Sequence, residues 1–534
     1  MGKIITDNIE IDFERTGKFT PIALDLLKGH ANLGPMVNRF FTPSDAQYWV
    51  NQRSVHPTPR QTLVDALRRQ YKGLAVQSEV TQNIDALNRE TTFTVTTGHQ
   101  LCLFTGPLYF VIKIAHTIRL AREMELHAKD TRVVPVFWMA SEDHDFEEVN
   151  HTYIQGKSIR WNRSHNGEPV GQLDLDNFET VWQQLSDILP DGPKASELKK
   201  FLQKHYLPSY TLAQATRSLV NALFGSYGLV IIDGDDPELK SHFMPHVERE
   251  LTQSFAQHAV LEQNQKLELN YTIQVNPRPI NLFWFEGGYR YRVDVGPVFL
   301  KGEESIPLDS AKFSPDRFSP NVLLRPLYQE TILPNLAYVG GAGEIAYWLQ
   351  LKGMFDVSGV PFPALALRNS GVVIDEVDHN RWLDWGFKTT ELFLSPADLS
   401  KSIAAKAGSE VLEKLEKSQD EIEQKTIQLA RDLSKLSPGL ARHLEAKMAK
   451  ERHFQQSLQR KIIREFKIRE ESLITKAEQI RSSYFPGNGS LQERKENIFG
   501  LVYRYGFELI DEIVSHISIE PGTFSVWVAS NTKK

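Results

Sequence analysis

The sequence VVPVFW at residues 133–138 is followed two residues later by the acidic stretch SEDHDFEEVNH at residues 141–151. A short run of β-branched and aromatic residues with polar boundaries is typical of a strand buried in a sheet. Amphipathic helical stretches follow several such runs and predict βαβ units, and hence an α/β fold with a parallel sheet covered on both faces. The other predicted strands span 92–97, 229–233, 337–340 and 362–367, and two of the predicted helices span 109–125 and 344–354.

The composition is that of a soluble globular protein with several structural units. The chain has 534 residues, of which 41% are hydrophobic and 24% are charged. A net charge of -6 gives no electrostatic reason to expect binding of nucleic acid or of an anionic membrane. Neither a signal peptide nor a bilayer-spanning apolar run is visible, so we expect a cytoplasmic protein.

A single cysteine, Cys102, limits the chemistry that thiols can provide. One thiol cannot form an internal disulfide, and it cannot build a cysteine-rich zinc site. Because Cys102 lies in the apolar run LCLF, we expect it to be a small buried residue rather than a nucleophile. We therefore predict neither a disulfide nor a zinc ion.

Residues 398–483 have a different pattern, rich in Lys, Glu, Gln and Leu. Apolar residues such as Leu458, Ile462 and Phe466 recur at spacings of three and four, which places them on one stripe of a long helix. The sequence SPG at 437–439 predicts a turn, and therefore an antiparallel coiled coil that packs on the core or on a second subunit. The predicted domains are a core at 1–390, a helical hairpin at 391–490 and a C-terminal segment at 491–534 that returns to the core.

Two glycine-rich loops follow predicted strands, where ligands bind in open parallel sheets. The first carries Gly98, His99 and Gln100, with Gly106 close behind, and it could cradle phosphates or be a plain turn. The second could receive an adenine, a ribose or a phosphate, or it could serve close helix–strand packing. Its candidate residues are Gly340, Gly341, Gly343 and Glu344.

The acidic stretch itself follows the strand at 133–138. Helix capping accounts for Glu147 and Glu148, since carboxylates are favoured at a helix start. Capping does not account for Asp143, His144 and Asp145, which could bind magnesium or a polar substrate, with His144 as an acid or base. Further along, Arg325 could pair bidentately with a carboxylate or phosphate, or form a structural ion pair.

Several of these stretches together resemble the bacillithiol biosynthesis cysteine-adding enzyme family, in the same order along essentially the whole chain. The resemblance implies a Rossmann-like nucleotidyltransferase core with connecting-peptide insertions, and an α-helical antiparallel coiled-coil domain that forms a homodimer. The matching stretches are TGHQ at 97–100, LFTGPLY at 103–109, VPVFWMASEDHDFEEVNH at 134–151, Asn321, RP at 325–326, GEIAYW at 343–348 and LQER at 491–494.

The resemblance also implies a reaction, in which ATP, with or without Mg²⁺, activates the carboxylate of cysteine as an acyl-adenylate. The amino group of glucosaminyl-malate then attacks and releases AMP, which is the last step of bacillithiol synthesis. By the same resemblance, Asp143, His144 and Asp145 would face the substrates. Because they follow a buried strand, we expect them to be catalytic, with Asp145 receiving the proton lost by the attacking amine. The nucleotide would bind Gly98, His99, Gln100, Gly106, Gly340, Gly341 and Gly343, and the substrates would bind Ser141, Asn150, Asn321, Arg325 and Glu344.

Two other classes of function remain open from the residues alone. A metal-dependent hydrolase could use Asp143, His144 and Asp145 and would not require ATP. A dimeric scaffold could bind a nucleotide only as a regulator and assemble through the helical hairpin. Both alternatives share the α/β core and the coiled coil with the ligase.

Overall fold

The computed structural model describes residues 3–296, 298–302, 304–308 and 313–531. It divides into two compact units. Unit 1 contains the chain up to Ile374 together with the residues from Gln492 onward, and unit 2 spans Asp375–Leu491.

Unit 1 contains fifteen strands within the described residues. They are β1 (Ile5–Asp12), β2 (Thr92–His99), β3 (Arg132–Met139), β4 (His151–Ile154), β5 (Lys157–Arg160), β6 (Val230–Asp233), β7 (Leu282–Glu286), β8 (Tyr289–Asp294), β9 (Val298–Lys301), β10 (Glu304–Pro307), β11 (Phe318–Pro320), β12 (Asn335–Gly340), β13 (Ala364–Leu367), β14 (Ser370–Asp375, whose last residue begins unit 2) and β15 (Thr523–Ala529).

The α-helices of unit 1 cover the main sheet and link its strands. They are α1 (Phe13–Thr16), α2 (Pro21–Leu27), α3 (Ala46–Ser54), α4 (Arg60–Gln70), α5 (Ser78–Ala86), α6 (Tyr109–Leu126), α7 (Phe146–Val149), α8 (Glu179–Ile188), α9 (Pro193–His205), α10 (Leu212–Phe224), α11 (Pro237–Ser241), α12 (Met244–Gln253), α13 (Phe255–Leu267), α14 (Leu324–Ile332), α15 (Ala342–Trp348), α16 (Lys352–Ser358), α23 (Ile498–Tyr505) and α24 (Glu508–His516).

The main sheet has the order β13-β12-β2-β3-β6, and all of its neighbouring strands are parallel. This confirms the predicted parallel α/β sheet. Its strands are almost wholly buried, because helices cover both faces, and Trp49, Phe93 and Leu120 belong to one of the apolar clusters against it. Gly98 at the end of β2 lies opposite Trp138 of β3, so the carboxyl ends of neighbouring strands meet at one edge.

The helix predicted over 344–354 is two helices, α15 and α16. The residues between them include the buried Gln350, which donates a hydrogen bond to the carbonyl oxygen of Val275 at 2.7 Å. The spacing of apolar residues does not show that a polar side chain will form a hydrogen bond with a distant backbone segment. The sequence therefore could not place this break.

Two further sheets complete unit 1, with a short β4-β5 hairpin. The antiparallel sheet β10-β9-β8-β7-β11 includes a tight turn between β7 and β8, where Gly287 and Gly288 have φ angles of 59° and 85°. Left-handed backbone of this kind favours glycine. The sheet β1-β15-β14 contains the last strand of the described chain, which pairs antiparallel with β1.

Unit 2 is helical within the described residues and consists of α17 (Glu376–Asp384), α18 (Pro396–Ala407), α19 (Ser409–Leu436), α20 (Pro438–Arg469), α21 (Glu471–Tyr484) and α22 (Pro486–Gly489). The helices α19 and α20 pack against each other, which confirms the coiled-coil hairpin. The turn comes at Ser437, whose side chain accepts a hydrogen bond from the Gly439 backbone N at 3.2 Å. No helix in the described ranges combines the length and apolar character required to span a membrane.

Candidate active site

A cavity of about 790 Å³ lies at the carboxyl ends of β2, β3 and β12. This is the position at which ligands bind in open α/β sheets. Eleven of the site residues predicted from the sequence line it. They are Gly98, His99, Gln100, Ser141, Asp143, His144, Asn321, Arg325, Gly341, Gly343 and Glu344.

Four other predicted residues do not line this cavity, and the structure gives each a structural role. Asp145 caps α7 by accepting a hydrogen bond from the Glu148 backbone N at 3.3 Å. Asn150 is buried and donates to Glu147 Oε1 at 3.2 Å. Gly106 has a φ of 68°, and a Cβ there would lie 2.5 Å from that of Cys102. The carbonyl oxygen of Gly340 accepts from the Arg368 backbone N at 2.8 Å.

A buried ammonium, that of Lys113 on α6, connects the two glycine loops. Its Nζ donates to the Gly98 carbonyl oxygen at 2.6 Å and to Glu344 Oε2 at 2.6 Å. Glu344 also accepts hydrogen bonds from the Tyr338 hydroxyl and, at 3.3 Å, from the Gly341 backbone N. Burial alone would raise the pKa of Glu344, but the charge and hydrogen bond of Lys113 lower it. Glu344 therefore stays ionised and holds the second loop in place.

Lys113 was not predicted as a site residue from the sequence. Its signal was a single lysine inside the otherwise apolar segment FVIKIA of α6. A lysine in such a segment must be paired or must lose its charge, because an unpaired buried ammonium is costly.

On the β3 side of the cavity, Asp143 is held by several donors. Arg290 of β8 donates from one guanidinium nitrogen to Asp143 Oδ1 at 3.3 Å and to His144 Nδ1 at 3.1 Å. Gln100 Nε2 donates to the other oxygen of Asp143. Burial alone would raise the pKa of Asp143, but hydrogen bonds from Gln100 and the His144 backbone N and the charge of Arg290 hold it well below its usual range. Asp143 is thus a fixed anion.

Arg290 belongs to the antiparallel sheet and is far from the acidic stretch in sequence. It, too, was not predicted as a site residue. Its guanidinium lies 3.9 Å above the Phe283 ring centroid and donates to the Pro320 carbonyl oxygen at 2.9 Å. Because an arginine can only donate, it fixes His144 Nδ1 as an acceptor. The ring hydrogen of a neutral His144 then lies on Nε2.

His99 and Cys102 stand at the end of β2 and in the loop after it. Burial and the charge of Lys113 lower the pKa of His99 to about 4, so its ring is neutral at neutral pH. Its Nε2 lies 3.1 Å from the Tyr109 hydroxyl. Cys102 is buried, as predicted, and burial raises the pKa of its thiol to about 12, which leaves it a poor nucleophile.

Five arginines line the cavity within the described residues, and two of them, Arg325 and Arg368, lie beside the second glycine loop. Arg325 donates to the uncharged Gln329 Oε1 at 2.9 Å, and its guanidinium lies 5.7 Å from the Tyr338 ring centroid. Arg368 is committed to a buried ion pair, with 2.8 Å between its NH2 nitrogen and Glu493 Oε1. Arg325 is therefore the better placed of the two to bind an incoming anion.

Two family models together cover nearly the whole chain. Residues 7–369 match "Bacillithiol biosynthesis BshC, N-terminal Rossmann-like domain". Residues 372–528 match "Bacillithiol biosynthesis BshC, C-terminal coiled-coil domain". The chain belongs to the BshC family. The expected Rossmann-like core and coiled-coil domain are thereby confirmed.

Curated relatives carry the name "Putative cysteine ligase BshC". The one from Flavobacterium psychrophilum is 37% identical over 97% of this chain and 98% of its own. The one from Christiangramia forsetii is 36% identical over 97% of this chain and 98% of its own. A third, from Geobacillus sp., is 30% identical over 93% of this chain and 95% of its own. The likeness to BshC proteins thus extends over both units.

Proposed function

We propose that this BshC family member is an ATP-dependent cysteine ligase of the cytoplasm. It would join cysteine to the amino group of glucosaminyl-malate in the last step of bacillithiol synthesis, through a cysteinyl-adenylate. What supports this proposal is the division of one cavity into two chemically different sides. The β2–β12 side offers glycine loops and Arg325, and the β3 side offers carboxylates. The names of the curated relatives agree with it.

The glycine-loop side suits the triphosphate of ATP. Gly98 and Gly341 allow close approach of a ligand to the backbone, and Arg325 can form charge-assisted hydrogen bonds to phosphate oxygens. One oxygen of the cysteine carboxylate would attack the α-phosphorus, the bond to the β-phosphate oxygen would break, and pyrophosphate would leave. Arg325 would stabilise the charge that develops on the phosphates, and the neutral His99 can donate or accept a hydrogen bond. Any Mg²⁺ would enter with ATP.

The acidic side suits the ammonium groups of the two substrates. Asp143 and Glu148 line the cavity next to each other and are bridged by Gln100 Nε2. Negative charge there attracts and orients an ammonium. The hydrolase alternative is less favoured by this geometry, because both carboxylates already accept hydrogen bonds. Asp143 accepts one from Arg290, and Asp145 accepts one from the backbone N of Glu148 at the start of α7. Neither carboxylate is free to bind a metal in the way that alternative requires.

Exchange of labelled pyrophosphate into ATP tests the adenylate. We expect exchange that depends on cysteine and does not require glucosaminyl-malate, and we expect AMP to form with the product once the amine is added. Serine in place of cysteine is the control substrate. Formation of ADP and phosphate, or product formation without ATP, would contradict the adenylate route.

We also propose that the helical hairpin forms a homodimer. Leu458, Ile462 and Phe466, which belong to the apolar stripe predicted from the sequence, are only half-exposed, and Phe466 packs closely on Gly408 in the same unit. A second apolar line on α19 is more exposed. It consists of Ile422, Leu429 and Leu436, which are 44%, 50% and 79% exposed. Spacing of seven residues places these three on one helix face.

Light scattering of a variant with both Leu429→Glu and Leu436→Glu tests this dimer. We expect the mass to fall to that of one chain, because charges on both copies would face each other across the apolar line. Leu126→Glu, at an exposed leucine of unit 1, is the matched control and should keep the mass of the unchanged protein. A double variant that keeps its dimeric mass would place the interface elsewhere.

A further inference from the structure

Four carboxylates line the cavity, and three of them are held by cations or by several donors. Glu142 pairs with Lys240 at 2.7 Å, Asp143 with Arg290, and Glu344 with Lys113. Glu148, on α7, differs from them. Its carboxylate accepts a hydrogen bond from Gln100 at 3.2 Å and faces the carboxylates of its neighbours rather than a cation.

The surroundings of Glu148 make it more basic than an ordinary carboxylate. Partial burial raises the pKa of Glu148, and the negative charges of Asp143 and Asp145 raise it further. Asp143, whose carboxylate is bound to the same Gln100 amide, has its pKa lowered and cannot take up a proton at neutral pH. Of two carboxylates joined by the same amide of Gln100, only Glu148 suits proton transfer.

We infer that Glu148 is a catalytic residue, the base that accepts a proton from the ammonium of the amino substrate before it attacks the activated cysteine. This inference rests on the proposed ligase function and assigns a residue that the sequence had explained by helix capping alone. The cap of α7 is Asp145, so the side chain of Glu148 is free to face the cavity.

The step moves two protons from the nitrogen and exchanges one bond at the acyl carbon. The ammonium gives one proton to a Glu148 oxygen, and the nitrogen lone pair forms a bond to the acyl carbon of the adenylate. The bond between that carbon and the phosphate oxygen breaks, and AMP leaves with the electron pair. The nitrogen loses its second proton to the departing phosphate, and Glu148 returns its own proton to water.

Other candidate bases in the cavity are less suitable. His144 accepts a hydrogen bond from Arg290 at Nδ1, so its remaining ring nitrogen carries hydrogen in the neutral ring. Asp145 is bound to the start of α7 and does not line the cavity within the described residues. Gln100 is a positioning residue, since one amide nitrogen donates to both Asp143 and Glu148.

The test compares Glu148→Gln with Glu147→Gln in the full chain. Glu147 is the adjacent residue of α7, but it pairs with Arg160 at 2.7 Å and does not line the cavity. Three rates are measured: cysteine-dependent pyrophosphate exchange, amide formation with glucosaminyl-malate, and cysteine hydroxamate formation with hydroxylamine. Hydroxylamine is unprotonated at neutral pH and therefore needs no base.

For Glu148→Gln we expect amide formation to fall by about 10²–10⁴-fold, the usual contribution of a positioned base. Its hydroxamate formation should stay within about threefold of the unchanged protein. Hydroxylamine is already unprotonated, so it does not need the rate contribution of a general base. Glu147→Gln should match the unchanged protein in all three rates.

Each outcome decides between the inference and an alternative. Normal amide formation by Glu148→Gln overturns the inference, and so does an equal loss with both amines, which would mean a structural role. If the unchanged protein catalyses no exchange, the adenylate is wrong, but the comparison of the two amines still decides whether Glu148 is the base.

Discussion

Lys113→Met is expected to abolish ligation and to lower the free energy of unfolding by about 3–5 kcal/mol, the usual cost of removing one partner from a buried ion pair. The side chain of Lys113 is only 6% exposed, and that of its partner Glu344 is 21% exposed. Without the ammonium, the Glu344 carboxylate stays in the cavity wall unpaired, and the Gly98 carbonyl loses its donor. Urea unfolding and product formation measure the two effects.

The double variant Lys113→Met with Glu344→Gln separates stability from function. It leaves no unpaired charge, so much of the lost unfolding free energy should return, because replacing both partners of a buried pair is often nearly neutral. It should remain inactive, since the Gly98 and Gly341 loops are no longer held to one ammonium. An active double variant would show that the pair serves stability alone.

The main sheet was predictable because its signal is local. Each buried parallel strand is a short apolar run, and each helix that follows has its own periodicity. The second sheet was not predictable in the same way. Its strand β11 pairs with β7 across more than thirty residues, and β8 is half-exposed along most of its length. Such pairings depend on long-range contacts that no sequence window contains.

The site was predictable where it follows strand ends and not where it depends on side-chain direction. The sequence located the acidic stretch, but it could not tell that Asp143 faces the cavity while Asp145 turns to cap α7. Neither could it find Arg290, which arrives from a separate sheet. Glu147 and Glu148 lie in the first turn of α7, as the helix-capping explanation predicted, but the side chain that accepts the capping hydrogen bond is that of Asp145, which the sequence had not assigned to this role.

Arg325→Met should raise the concentration of ATP needed for half-maximal pyrophosphate exchange by about 10–100-fold. Hydrogen bonds to charged groups contribute about 1.5–3 kcal/mol each, which corresponds to that range. The guanidinium lies beside the glycine loops and donates to the neutral Gln329, so its charge is available to an incoming phosphate. The melting temperature should change little, because the two buried carboxylates that are near the charge of Arg325, Glu330 and Glu344, keep hydrogen-bond donors of their own.

Two further variants separate charge from geometry. Arg325→Lys keeps the charge but loses the planar donor pair, so its ATP requirement should lie between those of the unchanged protein and Arg325→Met. Arg317→Met removes a cation that pairs with Glu286 at 3.3 Å and does not line the cavity, and it should leave the ATP requirement unchanged. If Arg325→Met instead raises only the requirement for cysteine or glucosaminyl-malate, Arg325 binds a substrate carboxylate, and the triphosphate must lie elsewhere in the cavity.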